Sequence, residues 1–100
     1  MISIQIVPKQ DFDAYRLLRD KVTHDAATWY WANKAKSRLR HTQIKKGYIE
    51  VGSAEGVLAA QIYPKEPRDL FYLSEKFIGR LIAWFGEELV AINIQFIPED

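Results

Sequence analysis

The chain has no cysteine, which removes disulfide frameworks and thiolate zinc sites together. That fits a reducing compartment, and a cytoplasmic protein is expected. Histidine is scarce: His24 and His41 are the two present, and they form no helical ligand pair. A metal site would need at least a third ligand, so no metal is expected, and both histidines read as surface residues. No apolar run reaches the length of a membrane span, since Arg80 interrupts the best candidate, so no membrane partner is expected. The opening MISIQIV lacks the basic region, apolar run and cleavage site of a signal peptide. Repeats, low-complexity tracts and internal linkers are also missing.

What remains is a packed single domain. One hundred residues suit one domain, and a chain of that size buries about 60–65% of its unfolded surface. The 48% apolar share argues against disorder. Net charge is only +1, but it is uneven. Residues 1–50 hold ten Lys and Arg against five Asp and Glu, and residues 51–100 hold four against eight. The first half is therefore basic and the second acidic.

The stretch from Leu70 to Ile97 reads as a strand (Leu70 to Leu73), an amphipathic helix and a buried strand (Val90 to Ile97). Ser74 is a suitable N-cap, and Phe77, Ile78, Leu81, Ile82, Trp84 and Phe85 recur at helical spacing up to Gly86. Such a unit normally crosses over right-handed and sets two parallel strands side by side. Earlier, Ile2 to Val7 alternates as a strand, Asp11 or Asp13 can cap a helix, and Phe12, Tyr15, Leu18 and Val22 mark its face. Residues 26–39 are ambiguous. Thr28 to Trp31 has strand propensity, but Ala27, Trp31, Ala35 and Leu39 fall at i, i+4 spacing, and helix is preferred. Leu39 to Ile44 suits a short strand turning at Lys45, Lys46 and Gly47, followed by strands over Tyr48 to Gly52 and Val57 to Tyr63. The expected fold is α/β, a mixed and mostly antiparallel sheet with helices packed against it. A ferredoxin-like α+β plait is the alternative, favoured if Thr28 to Trp31 is a strand.

Three sets of residues resemble the GNAT superfamily of N-acetyltransferases. They are Ile2 to Val7 with Asp11 to Ala14 and Leu17-Leu18; Gly47 to Val51 with Glu55 to Ala60; and Leu70 to Leu73 with Gly79 and Ile82. They resemble that family's opening strand and helix, its central hairpin, and the strand and helix start that hold acyl-CoA. In the family a basic residue and two small residues let backbone N–H groups face the cofactor pyrophosphate. Lys76 and Gly79 keep the first two features, and Leu81 replaces the second small residue. The resemblance implies a short, degenerate member that holds acetyl-CoA through Leu73, Lys76, Gly79 and Arg80, with weak or lost acetyl transfer. It also implies that a glutamate, Glu50 or Glu55, could serve as general base. Glu50 alternates with Ile49 and Val51 and so reads as facing water. The plainer reading of Lys76, Gly79 and Arg80 is a solvent face with a glycine at a close helix contact.

The other candidate is a basic run, Lys34, Lys36, Arg38, Arg40, Lys45 and Lys46, with no acidic residue inside it. With Trp29, Tyr30, Trp31 and Tyr48 nearby, it could contact phosphates and stack on bases, or meet an acidic protein. A charge run is also, more plainly, a solvated face. Trp29, Tyr30 and Trp31 cannot all point one way, so at least one is expected at the surface. The alternative function is thus a non-enzymatic module acting through residues 34–46. Self-association is expected as well, from the broad apolar helix and a sheet edge left beside the last strand.

Overall fold

The computed structural model describes residues 1–98, the side chains of Lys45 and Lys46 apart. Six strands and two helices follow one another: β1 (Ile2–Pro8), α1 (Ala14–His24), β2 (Trp29–Trp31), β3 (Arg38–His41), β4 (Ile44–Ala54), β5 (Val57–Tyr63), α2 (Asp69–Phe85) and β6 (Leu89–Phe96). The strands form one sheet in the order β2-β3-β4-β5-β1-β6. Every pairing is antiparallel.

Alternation decides which face is covered. Ile2, Ile4 and Ile6 of β1, Ile49 and Val51 of β4, and Leu58, Ala60 and Ile62 of β5 are buried. They pack with Ala14, Leu18 and Val22 of α1 and Leu73, Phe77, Leu81 and Phe85 of α2 in a single core. Both helices therefore lie on one side of the sheet, and the other side stays open. The helix α1 starts where the Asp13 carboxylate accepts the N–H of Arg16 at 3.2 Å. The β4–β5 hairpin turns on Glu55 and Gly56, with φ of 54° and 82°. Two positive φ values make the tight turn that suits the twist of paired strands.

Several expectations are corrected. Residues 26–39 do not form a helix. Trp29 to Trp31 pairs with β3, and Trp29 is 3% exposed, its ring against His41 and Phe77. Tertiary burial of one indole outweighs the i, i+4 pattern, whose members Ala27 and Ala35 lie in solvent. Asn33 shapes the connecting turn, its Oδ1 accepting the N–H groups of Ser37 and Arg38. The next turn falls at Thr42 and Gln43, not at Lys45 to Gly47, which belong to β4. Leu70 to Leu73 is the first turn of α2 and not a strand. Ser74 therefore lies inside the helix, where its hydroxyl donates to the Leu70 carbonyl at 2.6 Å instead of capping. The sheet is not mixed, because the two strands that α2 joins are not neighbours: β1 lies between β5 and β6. With β2 and β3 set aside, the order is β-α-β-β-α-β, two interleaved split β-α-β units. Among the described residues, no helix is long and apolar enough to cross a membrane.

Candidate functional site

The open face of the sheet gathers residues that are far apart in sequence. The registers set Tyr30 opposite Arg40, Arg38 opposite Glu50, Glu50 opposite Gln61, and Tyr48 opposite Tyr63. Alternation turns all of these away from the core. The Tyr48 and Tyr63 rings stack with centroids 5.2 Å apart and planes inclined by 25°. The Arg38 guanidinium lies 4.9 Å from the centre of the Tyr48 ring, and its Nε donates to Glu50 Oε2 at 3.0 Å. The Tyr63 hydroxyl donates to Gln61 Oε1 at 2.7 Å. Arg40 is half-buried, and its Nε has no hydrogen-bond partner among the described residues. Further along the same face, Ser3, Gln5, Ala59, Asn93 and Gln95 floor a shallow depression of about 220 Å³. The face is thus aromatic and basic at one side and polar and small at the other.

The basic run is divided by the strands. Arg38 and Arg40 stand on the open face, and Lys34 is exposed in the β2–β3 turn. Lys36 is turned toward α1, where its ammonium donates to Thr23 Oγ1 at 3.1 Å. The side chains of Lys45 and Lys46 lie outside the described residues. Of the three consecutive aromatics, Tyr30 is the exposed one, at 40%. Trp31 packs near Tyr15 and donates through Nε1 to the Arg19 carbonyl at 3.4 Å.

The residues that resemble an acyl-CoA site do not meet at a helix start. Leu73, Lys76, Gly79 and Arg80 all lie inside α2, which begins at Asp69. Leu73 is fully buried, Lys76 lies over the Tyr72 ring and Arg80 over Trp84. Gly79 is in the second half of the helix, where a backbone N–H is used by the helical ladder and is not free for a phosphate. Gly79 does line an apolar groove of about 430 Å³ between α2 and β6, with Phe71, Ile78, Ile82, Ile94 and Phe96. Lys76 and Arg80 lie further round the helix.

Glu50 is held by Arg38, and Glu55 sits exposed in the hairpin turn. His24 is exposed, but His41 is not the surface residue expected: it is buried edge-on to Trp29 at 4.8 Å. Its Nδ1 accepts the N–H of Gln43 at 3.1 Å, which leaves Nε2 as the protonated nitrogen of the neutral ring. Burial, and then the charge of Lys76, hold its pKa below the ordinary value of 6.5. The described residues contain no group of three or more His, Cys, Asp or Glu suited to a metal ion.

Sequence reasoning missed the Tyr48–Tyr63 pair. A signal was present: a tight turn at Glu55-Gly56 places Ala54 opposite Val57, and the same register carries Tyr48 opposite Tyr63. No family model, curated protein or solved structure matches this chain.

Proposed function

We propose that the protein is a non-enzymatic binding module, built as a ferredoxin-like plait with two added strands, that takes single-stranded nucleic acid on its open sheet face. One observation carries the reading: Arg38 and Arg40 share an uncovered face with Tyr30, Tyr48 and Tyr63. The exposed rings, Tyr30 and Tyr63, offer stacking platforms to unpaired bases, and neighbouring guanidinium groups neutralise phosphates. Arg40 adds a second, half-buried guanidinium charge to this face, opposite Tyr30. Flat stacking favours single strands over duplexes, whose bases are already stacked. It also favours nucleic acid over an acidic protein, which would use the arginines but not the ring faces.

Fluorescence anisotropy with labelled oligonucleotides tests this. Single strands should bind more tightly than duplexes of equal length, and Tyr63→Ala should weaken binding by about 1–3 kcal/mol, the worth of one stacked base. Equal binding of heparin and single strands, unchanged by Tyr63→Ala, would remove the reading. Acetyl-CoA belongs in the same titration. A second reading, a GNAT-like domain with weak or lost acyl-CoA-dependent N-acetyltransferase activity, draws on the sequence resemblance and on the apolar groove beside Gly79. Saturable acetyl-CoA binding would favour it. Under either reading the protein works as a homo-oligomer joined away from the open face.

A further inference from the structure

We infer that β6 pairs with β6 of a second copy of this chain, giving a two-fold dimer with one continuous antiparallel sheet; this specifies the homo-oligomer reading and rests on it. The strand β6 is an edge, and nothing among the described residues pairs with its outer side. Its polarity follows from its end. The Met1 ammonium donates to the Ile97 carbonyl at 3.0 Å, and the Ile97 N–H donates to the Met1 carbonyl at 2.8 Å. From Ala91 onward, odd-numbered residues of β6 therefore face β1, and Ile92, Ile94 and Phe96 turn their N–H and C=O groups to the free edge, while Val90 is the extra residue of a bulge where the register slips between Val7 and Pro8. Edge strands are usually blunted by charge, proline or shortness. The eight residues LVAINIQF contain no charge and no proline, whereas the opposite edge, β2, has three residues.

The occupant follows from self-complementarity. A two-fold axis through Asn93 sets Ile92 opposite the partner's Ile94 and Val90 opposite the partner's Phe96. Ile92, Ile94 and Phe96 have hydrogen bonds that point outward and side chains on the helix side of the sheet, and Val90 stands in the bulge at the start of the strand. Val90 and Phe96 are each 67% exposed in the single chain. The same axis brings the Phe96 end of one copy to the other copy's hollow of about 270 Å³, floored by Ile82, Gly86 and Val90. An entering phenyl ring would fill that hollow. Like copies meet without electrostatic penalty along an uncharged strand. Because the axis is perpendicular to the sheet, both open faces lie on the same side, and the polar strip with Gln5, Asn93 and Gln95 joins the two tyrosine–arginine patches.

Sedimentation of the full chain from micromolar to millimolar concentration tests the pairing, with far-UV circular dichroism to check the fold. The wild type should be dimeric, and V90K and F96K should be folded monomers, since both positions are solvent-facing in the single chain. V90K combined with F96E should restore the dimer, because opposite charges then face each other twice. A wild type that stays monomeric, or a V90K that stays dimeric, overturns the pairing, and a double variant that stays monomeric overturns the Asn93-centred register. Oligonucleotide binding in the same samples separates the two readings. A V90K monomer that binds a shorter stretch of single strand than the dimer supports both, while a dimer that binds no oligonucleotide keeps the interface and removes the nucleic-acid reading.

Discussion

At the scale of single residues, burial changes what a side chain contributes more than its identity does. His41 looks like part of a basic surface run, but its ring is packed against Trp29 and kept neutral. Its folded pKa lies below that of the unfolded chain, so the unfolded state binds more protons between the two values. Stability from this group is therefore complete above about pH 6.5 and lost as pH falls from there toward the folded pKa. His41→Gln should flatten the dependence of Tm on pH in that window relative to wild type; parallel curves for the two proteins would show that His41 does not drive it. Gly56 offers a second test. Its φ of 82° is a conformation that side-chain-bearing residues resist, so Gly56→Ala should cost about 1 kcal/mol in chemical denaturation without moving the hairpin register.

At the scale of elements, α2 shows how one segment supports two readings until it is packed. The run LFYL is short and apolar, and periodicity alone does not separate a buried strand from a helix turn. The helix start was missed for that reason, while the Gly86 stop was found: a side chain there would lie 2.8 Å from the Ile82 carbonyl. The apolar face was partly legible. Phe77, Leu81 and Phe85 are buried, but Ile82, from the same periodic set, is 58% exposed on the groove. Two substitutions separate these roles. Leu81→Asp places an unpaired carboxylate in the core and should cost several kcal/mol, about the whole stability of a small domain. Ile82→Asp should leave the monomer's melting temperature nearly unchanged. Similar melting of both variants would mean that the helix presents a different face.

At the scale of the whole molecule, the uneven charge becomes a surface property. If Arg38 and Arg40 meet phosphates, replacing both by glutamine should reduce the slope of log affinity against log salt by about 1.4, or about 0.7 for each single-strand contact. The Arg38–Glu50 pair is half-exposed, so the loss of stability should stay within about 1 kcal/mol. An unchanged slope would mean that these arginines serve the sheet and not a ligand. The sequence by itself determined the α/β class, the β4–β5 hairpin, the first helix and the residues of the basic run, because local periodicity, caps and turn chemistry encode them. Only the tertiary structure decided that Trp29 to Trp31 is a strand, that β1 lies between β5 and β6, and that Tyr30, Arg38, Arg40, Tyr48 and Tyr63 share one face. Strand order and cross-strand neighbours depend on which apolar surfaces bury one another across the whole chain, and no window of local sequence contains that competition.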